Sequence, residues 1–158
     1  MLTGLSHGKL INFGAECVEH RFVNCHETLD QRRHFRIEHI DWHNNTPSER
    51  LEQNVVSLLS DWGTGLSRSL YQEAIVAIMG GAERCEQFTE THWRGKKTGR
   101  QPVDRIEPGI VIEITCKKHD LDHYESHLRR FLFSTDLQSV LWVNIVSGTV
   151  RLQRIARG

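Results

Sequence analysis

Apolar positions recur at helical spacing in three stretches of the chain. In TPSERLEQNVVSLLSDWG, residues 46 to 63, Leu51, Val55, Leu58 and Leu59 form one stripe. Thr46 is placed to cap this helix, Pro47 suits its first position, Glu49 completes a capping box, and Gly63 ends it. A second helix is expected from Leu66 to Met79, with Leu66, Leu70, Ala74, Ile75 and Ile78 on its buried side and Gly80-Gly81 as its stop. The third, in LDHYESHLRRFL, aligns Leu121, Tyr124, Leu128, Phe131 and Leu132.

Strand-like patterns fill the intervals. Arg84 to Trp93 reads as a strand, RGKKTGR as a turn, and 103–106 as a further short strand. GIVIEIT, 109 to 115, is β-branched and almost continuously apolar, which predicts a central strand covered on both faces. VLWVNIV, a Ser147-Gly148 turn and TVRLQRI predict a closing hairpin. The order of elements predicts an α/β (mixed α+β) domain, a mixed sheet with helices packed on it.

A weak internal repeat alters the domain picture. TGLSHGKLIN at 3 to 12 aligns with TDLQSVLWVN at 135 to 144, and Thr3, Leu5, Asn12 and Val18 match Thr135, Leu137, Asn144 and Val150 at one constant offset. Residues 1–24 then read as a strand-pair stub resembling the tail of a preceding repeat, 25–45 as a linker, and 46–158 as the main domain.

Lys+Arg and Asp+Glu both number 20, so the formal charge is zero, and coating of nucleic acid by bulk charge is excluded. The local basic clusters, Arg94-Lys96-Lys97-Arg100, Lys117-Lys118 and Arg129-Arg130, read as solvated faces. No apolar run resembles a membrane span or a signal peptide, and Cys17, Cys25, Cys85 and Cys116 form no paired motif. The expectation is a cytoplasmic chain with free thiols and no membrane association. His119, His123 and His127 are spaced by four, but no fourth ligand is evident, and a solvated face is the expectation. Cys25-His26-Glu27 is a weaker signal still. Trp42, Trp62, Trp93 and Trp142 are expected in core or interface positions.

GTGLSRSLYQEA, 63 to 74, resembles the opening helix of GxxExxY proteins, with arginine at position 68 where the family carries glutamate. KLINFGAECVEHRFVN resembles the strand pair that closes such proteins, and YESHLRRFL resembles their later helix. GxxExxY proteins are similar to PD-(D/E)XK nucleases, which implies a restriction-endonuclease-like mixed sheet flanked by helices, with carboxylates holding magnesium beside the scissile phosphate. The resemblance places Asp104 at the strand-borne metal aspartate and Glu113 at the (D/E)XK acid, the two expected metal ligands. Thr115 replaces the lysine, Arg68 the helix glutamate, and His127 the later glutamine. Lys117 shares the face of Thr115 if the strand continues, roughly 7 Å further along it.

Two functions stay open. One is a magnesium-dependent nuclease acting on DNA or RNA through Asp104 and Glu113, with Lys117 and His127 in supporting roles. The other is a catalytically degenerate domain acting as a structural or interaction module, with a protein partner or a second copy of the chain. On the helical wheel Arg68 lies about 20° from Ile75, at the border of the buried face, and so within reach of either carboxylate across a helix–sheet gap. A structural ion pair there and a vacant or metal-binding pocket are both compatible with the sequence.

Overall fold

A computed structural model of the chain describes residues 28–43, 45–80 and 87–158. The elements in chain order are α1 (Leu29–Arg33), β1 (Arg36–Ile40), α2 (Thr46–Trp62), α3 (Arg68–Gly80), β2 (Gln87–Trp93), β3 (Lys96–Glu107), β4 (Ile110–Thr115), α4 (Leu121–Phe133), β5 (Ser139–Val146) and β6 (Thr149–Ala156). The six strands form one mixed sheet in the order β1-β6-β5-β4-β3-β2. β4 and β5 are parallel and joined through α4, as a crossover requires, while β5 and β6 form the antiparallel hairpin around Ser147-Gly148.

The sheet is buried on both faces at β4 and β5, which accounts for their unbroken apolar character. On one face Leu51, Val55 and Leu59 of α2 and Tyr71 and Ile75 of α3 pack on Ile112, Ile114, Leu141, Val143 and Leu152. On the other, Leu128 and Leu132 of α4 pack on Val111, Val140, Trp142 and Ile155. Successive β4 residues therefore serve opposite cores. No helix among the described residues is long and apolar enough to cross a membrane.

Several details differ from the sequence expectation. Asn45 caps α2, its Oδ1 accepting from the Ser48 N–H at 3.2 Å, so Thr46 is the first helical residue instead. The buried stripe of α3 is Tyr71, Ile75, Val76 and Met79, whereas Ile78 is 51% exposed. Tyr71 sets this phase. Its hydroxyl donates to the Gly63 carbonyl at 2.7 Å and accepts from the Leu66 N–H at 3.0 Å, which turns the ring inward.

The β2–β3 turn is only Arg94-Gly95, both at positive φ, so the strand resumes at Lys96 and β3 runs much longer than expected. Trp93, beside that turn, is 64% exposed instead of buried, and Trp142 is fully buried. Within the expected linker, α1 forms and β1 joins the sheet edge, parallel to β6. The proposed stub, which holds the first copy of the repeat, and Cys25-His26-Glu27 lie outside the described residues.

Tyr71→Phe keeps the ring but strands the Gly63 carbonyl and the Leu66 N–H at a buried helix junction. The expected cost is about 2 kcal/mol of folding stability, read as a lower denaturation midpoint with an unchanged denaturant slope.

Candidate functional site

β3 and β4 part company at the pair Asp104–Ile112, the furthest pair of their ladder toward the β4 C-terminus. A cleft of about 810 Å³ opens there, lined among others by Arg68, Gln72, Asp104, Glu113, Tyr124 and His127. The sheet and two helices thus bring together four of the six positions singled out from the sequence.

Each acid is held from a different side. Asp104 faces the same way as its partner Ile112, toward α3, where Gln72 Nε2 donates to Asp104 Oδ2 at 2.5 Å. Glu113, one position on, faces the α4 side, where the Tyr124 hydroxyl donates to Glu113 Oε1 at 2.5 Å. Arg68 then crosses the gap from α3. Its Nη2 donates to the same Glu113 oxygen at 3.1 Å, and its Nε donates to the Ile114 carbonyl at 2.6 Å. One guanidinium therefore fastens both the carboxylate and the strand edge.

Thr115 and Lys117 stand apart from this pair of acids. Thr115 is buried, its hydroxyl donating to Asn144 Oδ1 at 2.7 Å and accepting from Trp142 Nε1 at 2.8 Å. β4 ends at this residue, so the extended path that would carry Lys117 along the same face does not form. Asn144 instead binds the Lys117 backbone, accepting from its N–H at 3.0 Å and donating to its carbonyl at 2.9 Å. The Lys117 ammonium lies over the Tyr124 ring, 4.4 Å from its centroid. His127 lines the cleft from α4, its ring 5.9 Å from that of Tyr124. His119 precedes α4, so the three histidines do not share one helix.

Both acids are held by donors of the protein itself. Glu113 already accepts from a guanidinium and a phenol, Asp104 accepts from an amide, and no group of three or more His, Cys, Asp or Glu among the described residues could hold a metal ion. Burial pushes the thiol of Cys116, the one cysteine among the described residues, up to about 11, only partly opposed by the charge of Arg68.

Sequence reasoning overlooked Gln72, Tyr124 and Asn144 as parts of the site. Gln72 follows Arg68 by four residues, so a shared helical face was the available signal. Tyr124 was assigned wholly to the core stripe, although its hydroxyl needs a partner when the ring is buried.

The fold and the site define a three-layer mixed α/β domain with an arginine spanning a cleft between diverging strands. No family model matches the chain, and neither a curated protein nor a solved structure is significantly similar to it.

The two tyrosines of the chain, Tyr71 and Tyr124, should both resist ionisation. Burial raises each above the usual phenol value, and at Tyr124 the hydrogen bond to Glu113 and the charge of Glu113 raise it further. The folded state then keeps protons that the unfolded chain releases above about pH 10. Stability is consequently undiminished below that pH and falls as the pH rises past it. Tyrosinate absorbance should appear only together with unfolding; a phenolate signal from folded protein near pH 10 would contradict this.

Proposed function

We propose that the chain is a catalytically degenerate PD-(D/E)XK-like domain of GxxExxY type, acting as a structural or interaction module. The observation that supports this reading is the contact of Arg68 with Glu113 and the Ile114 carbonyl. On this reading a guanidinium takes the place that the resemblance gives to a cation. At ~5 Å and an effective dielectric near 20, a +1 group opposes a +2 ion by roughly 7 kcal/mol before solvent screening reduces it. Arg68 is half exposed, so the screened opposition is smaller. The neutral, hydrogen-bonded Thr115 supplies no charge to steer a water molecule. Absence of such an activating group costs a factor on the order of a hundred in rate.

The second reading is a magnesium-dependent nuclease acting through Asp104 and Glu113, and one observation favours it: both acids line the same cleft. The two readings separate in a single assay. Purified wild-type protein incubated with magnesium or manganese and single- or double-stranded DNA or RNA should leave the strands intact. Metal-dependent cleavage that disappears in Glu113→Ala would reverse the conclusion. Arg68→Glu supplies the missing carboxylate and removes the opposing charge, so calorimetry should detect manganese binding in this variant and none in the wild type.

A further inference from the structure

The β2–β3 hairpin ends in a surface that the cleft does not explain. From Trp93 to Arg100 the sequence WRGKKTGR contains Arg94, Lys96, Lys97 and Arg100 and no acid. The sequence alone makes this a solvated turn, whereas the ladder divides its cations between two faces. Trp93 stands directly opposite Lys96, so their side chains leave the same face of the hairpin. Arg94 joins them, its guanidinium 4.6 Å from the Trp93 ring centroid. The opposite face carries Phe88, Glu90 and Arg100, with Lys97 bound to Glu90 and the Arg100 guanidinium over Phe88 at 4.9 Å.

The Phe88 face has a counter-charge of its own in Glu90, and the Trp93 face of the tip has none. Neither Arg94 nor Lys96 has an acidic partner among the described residues. Trp93 is 64% exposed with the Arg94 guanidinium already in place, so a large apolar ring is left to solvent. Two cations and one ring, within reach of each other, thus lack an anion and an apolar surface. A protein segment rich in glutamate or aspartate, with an aromatic or aliphatic residue among its acids, supplies both.

A flat anionic surface such as a lipid bilayer fits less well. A hydrogen bond from the Thr89 hydroxyl holds the Asp136 carboxyl below the usual carboxylate range, so this acid stays charged. Thr89 shares the Trp93 side of β2, roughly 13 Å back along the strand, where a charged plane meets Asp136 and a short segment ends before it. Strand addition at the β2 edge also fits less well, because the His92 N–H there already donates to the Ser134 carbonyl at 2.7 Å. We propose that the Trp93 face of the hairpin tip docks an acidic protein segment, its carboxylates on Arg94 and Lys96 and its apolar side chain on the Trp93 ring. The inference rests on the module reading above and gives that module its partner.

The test uses the whole chain with a short fluorescein-labelled peptide of glutamates around one phenylalanine, followed by anisotropy in EDTA at low salt. The peptide should bind, and added salt should weaken it, because exposed charges are screened. The same peptide with glutamine in place of glutamate should not bind measurably. Trp93→Ala should weaken binding roughly tenfold, the loss expected of a tryptophan at the centre of a contact. The double variant Arg94→Gln, Lys96→Gln should remove most of the salt dependence. On the opposite face, Lys97→Gln with Arg100→Gln should change the affinity by no more than about twofold, since only the screened field of the hairpin is altered.

All of these positions are exposed, and unchanged thermal melting would verify that the variants fold. No binding at low salt, equal binding of the glutamine peptide, or equal losses from variants of the two faces would overturn the proposal. So would Trp93-dependent binding to phosphatidylserine vesicles, or Trp93-dependent self-association, without binding of the peptide. The nuclease assay above separates the two claims. Cleavage there would reject the degenerate reading and leave the hairpin face in place, whereas absent peptide binding would reject the face alone.

Discussion

β3 accompanies β4 only as far as the pair Asp104–Ile112, and the arrangement around the cleft depends on that parting. Beyond it, β4 has β5 on one side and no β3 partner on the other, so a polar backbone edge must be satisfied by other means. Arg68 meets the need at Ile114 and in the same reach binds Glu113. The task calls for two donors in fixed relative orientation at the end of a long side chain. Guanidinium has that geometry, with its Nε and Nη2 donors held in one plane, whereas the donors of an ammonium all radiate from a single nitrogen. The arginine in the opening helix is thus tied to the separation of the strands, and the opening motif cannot be understood from the helix alone.

Thr115, another departure from the pattern that the resemblance implies, has partners of its own. The Thr115 hydroxyl links Trp142 and Asn144, and Asn144 in turn binds the backbone at Lys117, where the chain leaves β4. A lysine at 115 would have to bring its charge into this buried corner and break two hydrogen bonds, which is costly without a compensating anion. Tyr124 completes the pattern, with its ring 5.4 Å from that of Trp142 and its hydroxyl on Glu113. On the reading proposed here, Arg68, Thr115 and Tyr124 are a mutually supporting set. Arg68 and Tyr124 meet at Glu113, and the Tyr124 ring lies beside Trp142, whose indole N–H donates to Thr115.

Periodicity made the large elements legible. β4, β5, β6, α2 and α4 each bury a face or a stripe deep enough for apolar spacing to dominate the local sequence. It failed where tertiary partners decide. β1 has alternation too slight to announce a strand, since one edge pairs with β6 and most of its side chains stay near solvent. The phase of α3 follows from a hydroxyl reaching back to Gly63 and Leu66, which no count of apolar residues contains. At the site, Asp104, Glu113 and Arg68 were identifiable through the resemblance to GxxExxY proteins, which points to those positions. Gln72 and Asn144 were not, because an amide becomes informative only when its acceptor is known.

Charge is distributed unevenly between the cleft and the β2–β3 hairpin. Arg68 and Glu113 neutralise each other inside the cleft, while Asp104 stands on its wall with the Gln72 amide as donor. On β3, Lys96 and Asp104 are eight residues apart, roughly 27 Å along an extended strand. Even Arg100 and Asp104 are separated by about 13 Å of backbone on the same estimate. Both spans exceed the screening length of about 8 Å at physiological salt, so the acids at the fork do not cancel the cations toward the tip. A chain with zero formal charge can therefore carry a cluster of cations at the tip of the β2–β3 hairpin without a positive domain. The length of β3 permits this, and that length follows from a two-residue turn tight enough for the strand to resume at Lys96.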